Sequence, residues 1–212
     1  MADQNPVFEN GEYYHVANFG IDNRLVFNDE KDVARFISLL DYYRMKNPPA
    51  RFAFRKRPQA RENKNELVPM VELSAYCLMP DHFHLLVKQT ETAGINNFMS
   101  KISNSYTKFY NARQKRTGTL FKGPFRARRI SESQLLDVSR YIHQEPLQKG
   151  LVLNLLRFPY SSMQEYMEIK NGFCSKKVIL AQFDNSHEYQ QFVLDHEEYM
   201  TTLPHIKSLL LE

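Results

Sequence analysis

Two runs of β-forming residues, Val68 to Leu78 and Phe83 to Gln89, are separated by little more than Pro80-Asp81. So short a turn makes the two runs partners in an antiparallel hairpin, and the rest of the fold has to be built outward from it. Upstream, Glu12 to Phe27 is rich in Tyr, Val, Phe and Asn, with a break at Gly20–Asn23, and predicts one strand turning into a second. Asn28 and Asp29 then cap a helix whose Val33, Phe36, Ile37, Leu40 and Tyr43 recur at three- and four-residue spacing, and Asn47-Pro48-Pro49 stops it. Residues 51–65, RFAFRKRPQARENKN, are basic and polar and predict an exposed connection.

Downstream of the hairpin, Ile95, Phe98, Met99, Ile102, Tyr106, Phe109 and Tyr110 mark a second amphipathic helix. Pro124 to Ile130 predicts a further strand. A third helix follows, with Ser131 and Gln134 at capping-box spacing and Pro146 at its end. This order predicts an α+β sandwich of ferredoxin-like topology, a mainly antiparallel sheet flanked by helices. From Ile169 onward the pattern is helical, which divides the chain into a main domain, 1–165, and a helical C-terminal extension, 166–212. A chain of 212 residues with 42% apolar content can bury one substantial core but hardly two.

No apolar run is long enough to span a bilayer, and the polar, acidic start does not have the pattern of a signal peptide. The two cysteines, Cys77 and Cys174, lie far apart without metal-type spacing, so the expectation is a reduced, cytoplasmic protein.

The net charge of +4 conceals an uneven distribution. Nine Lys/Arg and no Asp/Glu fall between Lys101 and Arg129, leaving 19 basic and 24 acidic residues elsewhere, a net of −5. A concentrated basic segment on a slightly acidic body points to a polyanion. Arg113, Lys115, Arg116, Lys122, Arg126, Arg128 and Arg129 are interleaved with Phe109, Tyr110, Phe121 and Phe125. Cations for phosphates, alternating with rings for stacking on unpaired bases, suit single-stranded or hairpin nucleic acid.

The sharpest local feature is Met79-Pro80-Asp81-His82-Phe83-His84-Leu85-Leu86-Val87. Strand residues two apart project to one face, so His82 and His84 point together while Phe83, Leu85 and Val87 face the core. Two imidazoles make a natural but incomplete metal site. The third helix offers a completing group in Arg140-Tyr141-Ile142-His143-Gln144-Glu145-Pro146, where Tyr141 and Glu145, four apart, share a face. Such a two-histidine, one-carboxylate set suits non-haem iron, manganese, magnesium or zinc. No cosubstrate motif favours an iron oxygenase, and the basic segment favours phosphate chemistry. A non-catalytic nucleic-acid-binding module is the competing reading.

Taken in order, several pieces resemble the single-tyrosine HUH transposases (IS200-like), in particular the REP-associated branch. They are Tyr14-His15-Val16, Met79 to Val87, Gly118-Thr119-Leu120-Phe121 before Phe125-Arg126, and Arg140-Tyr141-Ile142-His143 before Pro146. Pro159-Tyr160-Ser161-Ser162, Phe183-Asp184 and Glu188-Tyr189-Gln190-Gln191-Phe192-Val193 continue the likeness. The resemblance implies a DNA transposase acting on single-stranded, hairpin-forming DNA at the bacterial nucleoid, as a monomer or homodimer. It implies Tyr141 as nucleophile, with a divalent ion, Mg or Mn, on His82, His84 and a third ligand. That family usually has an amide four residues after the tyrosine; here the position is Glu145, with Gln144 beside it. His15 is read as structural.

Overall fold

The computed structural model describes residues 5–46 and 68–211. The expected connection at 51–65 and the Asn47-Pro48-Pro49 stop lie outside the described residues. The elements run β1 (Tyr13–Phe19), α1 (Glu30–Tyr43), β2 (Val71–Met79), β3 (His82–Gln89), α2 (Gly94–Arg113), β4 (Arg126–Ile130) and α3 (Leu135–Gln148). They are followed by α4 (Met163–Tyr166), α5 (Lys177–Leu180), α6 (Ser186–Leu194) and α7 (His196–Ile206). The sheet order is β2-β3-β1-β4 with every pair antiparallel. β3 therefore lies between β1 and β2, the split βαβ arrangement of ferredoxin-like folds. The hairpin forms as expected, Met79 pairing with His82 across Pro80-Asp81.

The helix signals explain themselves locally. Asp29 accepts hydrogen bonds from the backbone N–H groups of Lys31 and Asp32, satisfying donors that the first turn of α1 leaves free. Ser131 and Gln134 form the expected capping box, on a short 3-10 turn that leads into α3. Pro146 does not end α3, which runs on to Gln148. A proline in the last turn removes only one N–H, and Lys149 N–H closes the end on the Glu145 carbonyl.

The second strand expected within Glu12–Phe27 is absent. Asp22 and Asn23 turn the chain through left-handed conformations, φ 53° and 55°. Beyond them the backbone N–H groups of Val26 and Phe27 both donate to the Pro80 carbonyl instead of joining a ladder. Val26 and Phe27 still enter the core, so the β-like composition reflects burial and not strand pairing.

The sheet is covered on both faces. On one, Tyr14, Val16, Phe83, Leu85 and Val87 pack against α1 and α2. On the other, Tyr13, Ala75, Cys77, Met79, Leu86 and Ile130 pack against α3 and the segments after it. α6 and α7 both contact α3, which holds that helix, and with it the Tyr141 position, against the sheet. The Pro159–Ser162 piece lies along β2: Leu78 N–H donates to the Tyr160 carbonyl and Ser162 N–H to that of Tyr76. Among the described residues no helix is long and apolar enough to cross a membrane.

Candidate metal centre and its surroundings

Strand alternation sends His82 and His84 to the α3 face of the sheet, and α3 presents Tyr141 and Glu145 to them. His82 Nε2 lies 2.8 Å from Glu145 Oε1, and His84 Nε2 lies 3.5 Å from Glu145 Oε2. One ligand atom from each of the three comes within 4.8 Å of the others, so the set could hold a metal ion. All three side chains are buried. His84 Nε2 and Glu145 Oε2 are buried without a hydrogen-bond partner. Leaving such atoms unsatisfied costs about 1–3 kcal/mol each, a cost that a cation between them would offset. The donor set, two imidazoles and a carboxylate, fits a divalent cation with positions left for other ligands. Gln144 does not share this place: its side-chain oxygen accepts from Gln148 Nε2 at 2.8 Å.

The Tyr141 ring lies across the imidazoles, with centroids 5.4 Å from His84 and 5.9 Å from His15. A cavity of about 370 Å³ is lined by Phe19, His82, His84, Tyr141, Glu145 and Lys149, among others. The phenol, both histidines and the carboxylate thus front one space. The other tyrosines of the basic region do not. Tyr106 and Tyr110 sit in the core on the opposite face, their hydroxyls donating to the Val26 and Leu25 carbonyls.

Electrostatics separate the two motif histidines. Burial disfavours charge on both. At His82 the hydrogen bonds and charges of Glu145 and Asp81 outweigh burial and raise its pKa; the Asp81 carboxylate is 2.7 Å from Nδ1. At His84 burial dominates, neighbouring His15 and His82 act in the same direction, and the pKa falls well below the ordinary range. His15, read from the sequence as structural, is wholly buried with Nε2 2.8 Å from His84 Nδ1. Its register opposite Leu86, two pairs from the Ala17–His84 pair and so on the same face, is set by long-range pairing that the sequence does not display.

The basic residues divide by strand face. Arg126 and Arg128 pair with Ala17 and His15 of β1, whose own partners on β3 are His84 and Leu86. They therefore share the sheet face that carries the centre, and the Arg126 guanidinium lies 4.9 Å from the Phe19 ring, which stacks on His82. Arg129 alternates to the other face and pairs with Glu9 and Glu12. Arg113 is held by Asp29 and Asp32 at the start of α1. Arg116 donates to Asn111 Oδ1 and the Thr119 carbonyl, tying the loop after α2. Lys115 and Lys122 are exposed. Acids absent from this stretch of sequence thus reach Arg113 and Arg129 in space.

Residues 59–145 match the family model described as IS200-like transposase. No curated protein sequence matches the chain. Among solved structures, a REP-associated tyrosine transposase bound to a REP hairpin is similar with a TM-score of 0.56 at 14% identity, over 79% of this chain and 86% of its own. A bacterial tRNA(His) guanylyltransferase-like protein in complex with GTP gives a TM-score of 0.43 at 9% identity, over 69% of this chain and 67% of its own. At 14% identity the first likeness is one of fold.

Proposed function

We propose, on the premise that residues 59–145 are an IS200-like transposase segment, that this chain cleaves and rejoins single-stranded, hairpin-forming DNA through a covalent tyrosine intermediate. The observation that carries the reading is the meeting of Tyr141, His82, His84 and Glu145 at one cavity. These side chains come from a strand and from a helix some sixty residues further along, and packing alone has no need to collect this set. The fold shared with a transposase that is bound to a REP hairpin adds support for DNA as the partner.

In this reading the Tyr141 phenol oxygen attacks the scissile phosphorus. A new O–P bond forms, the bond from phosphorus to the 3′ oxygen breaks, and the 5′ phosphate stays on the tyrosine. The phenol loses one proton and the departing 3′ oxygen gains one, so none is consumed overall. Tyrosine is a weak nucleophile near neutral pH because its ordinary pKa is about 10. His82, His84 and Glu145 would hold a divalent ion, Mg or Mn, which when bound polarises the phosphate and stabilises charge developing in the transition state. Glu145 in place of the family's usual amide keeps an oxygen donor and adds negative charge. Phosphoester exchange, in place of hydrolysis, conserves the bond energy, so another 3′-OH can resolve the intermediate without ATP. Arg126 and Arg128 lead the strand backbone toward the centre, on the face where they lie.

The test is to incubate denatured hairpin DNA with protein and manganese and to run the mixture on a denaturing detergent gel. A protein–DNA band that depends on metal is the expected result. DNA binding without any such band would make the chain a binding module instead. His82→Ala should weaken manganese binding at least about 100-fold, since even partners of metal ligands are worth 10–100-fold. Normal metal-stimulated cleavage by that variant would refute the ligand assignment.

Charge removal at Arg126 and Arg128 should weaken DNA binding and flatten its dependence on log salt by about one unit per lost phosphate contact. The same change at Arg113, already committed to Asp29 and Asp32, should leave the slope unaltered and lower the melting temperature. Fluorescence anisotropy across a salt series and a thermal melt separate these outcomes.

A further inference from the structure

We infer that His15 is a positioning residue, which holds the proton of His84 on Nδ1 and so presents the bare Nε2 to the His82–His84–Glu145 cluster. The inference rests on the metal-site reading for its purpose, but its geometry stands alone. His15 Nδ1 lies 2.7 Å from the Leu209 backbone carbonyl oxygen. A carbonyl can only accept, so His15 Nδ1 carries a hydrogen. In a neutral imidazole the second nitrogen is then an acceptor, and His15 Nε2 lies 2.8 Å from His84 Nδ1. His84 must therefore donate through Nδ1, which leaves its Nε2 as a lone pair. That atom is one of the two orphaned groups at the centre, 3.5 Å from the other, Glu145 Oε2.

The neutral form of His15 is the one its surroundings support. The ring is wholly buried, and no ion pair to it is found among the described residues. Metal-ligating histidines are commonly fixed by an acceptor on their far nitrogen, a carboxylate or a carbonyl. Here the acceptor is a second imidazole, itself fixed by a carbonyl 194 residues away in sequence. His82 is held differently, by the Asp81 carboxylate beside it. The two motif histidines thus have separate anchors, one local and one reaching across β1 to the C-terminal segment.

Three variants of the full-length chain test this. His15→Leu keeps the bulk and loses both hydrogen bonds. His15→Gln can restore both, its amide oxygen accepting from His84 Nδ1–H and its NH₂ donating to the Leu209 carbonyl. His84→Ala identifies the signals of the ligand ring in ¹⁵N imidazole spectra. In metal-free wild type the spectrum should show His84 protonated at Nδ1 and bare at Nε2, and in His15→Leu that preference should be lost. Manganese affinity, measured by calorimetry, should fall about 10–100-fold in His15→Leu and largely return in His15→Gln.

Equal losses in the leucine and glutamine variants would reduce His15 to packing and overturn the inference. So would manganese binding by His15→Leu at wild-type strength, or a wild-type His84 proton found on Nε2. Wild type that shows the Nδ1-protonated ring yet binds no manganese would uphold the relay and remove the metal-site reading instead.

Discussion

Tyr141→Phe should abolish the covalent protein–DNA adduct and lower strand cleavage by a factor on the order of 10³ or more, the scale on which loss of a nucleophile is felt. Hairpin affinity should stay within about twofold, because the substitution removes one oxygen and no charge, and the cations proposed to meet phosphate lie elsewhere. Folding should survive as well: the ring is 2% exposed and packed edge-on against His84 and His15, contacts that phenylalanine keeps. The measurement is a detergent gel of end-labelled hairpin DNA, read beside an anisotropy titration of the same variant. An adduct that persisted at wild-type yield would remove Tyr141 from the chemistry. Tyr106 and Tyr110 could not readily replace it, since their hydroxyls are committed to carbonyls on the far side of the sheet.

Mild acid should destabilise this protein well before its carboxylates are titrated. His15 and His143 are wholly buried, and burial lowers their pKa to about 4 and about 3. Burial holds His84 well below its ordinary value too. In the unfolded chain all three return to about 6.5. Below that pH the unfolded state binds more protons than the folded one, so stability falls as pH falls toward the folded values. Each such histidine contributes a slope approaching about 1.4 kcal/mol per pH unit. Three together remove several kcal/mol by about pH 5, a large share of the 5–15 kcal/mol that natural domains possess. His82 does not cancel this: a raised pKa gives stability that is fully present below about 6.5 and is lost only as pH rises through its folded value. The paired carboxylate of Asp29, lowered to about 2 chiefly by its hydrogen bond from Arg113, acts in a more acid window. Thermal melts of the metal-free protein at pH 7.5 and pH 5 should differ by on the order of 10 °C. Equal melting temperatures would mean that these rings are not held neutral.

Local signals carried well from letters to structure. The Pro80-Asp81 turn set the hairpin register, and alternation within β3 put His82 and His84 on one face, because both depend on neighbours in sequence. The four-residue spacing of Tyr141 and Glu145 likewise needed only a helix. What local spacing could not give was the register between strands far apart in sequence, although the ferredoxin-like topology and the grouping of Glu145 with both histidines were expected. That β1 lies next to β3 brings His15 to His84, and that α3 covers the face away from α1 and α2 brings Glu145 to both histidines. The basic segment shows the same limit. Its lack of acids was a fact about sequence, while Asp29, Asp32, Glu9 and Glu12 approach Arg113 and Arg129 through the fold. The apolar content around Val26 and Phe27 was correct as a sign of burial and misleading as a sign of a strand.

The lengths of chain lying against β2 and β4 have a bearing on how copies of this protein can meet. Tyr160 and Ser162 take up backbone groups along one rim of the sheet, while the Asn5 side chain bonds Ala127 N–H and the Phe125 carbonyl at the other. Open rims are where sheets of this kind extend into one another or seed aggregates. With both rims dressed by the molecule's own chain, strand-to-strand joining is closed off at those positions. At those positions a second copy meets side chains and loops in place of an open strand edge.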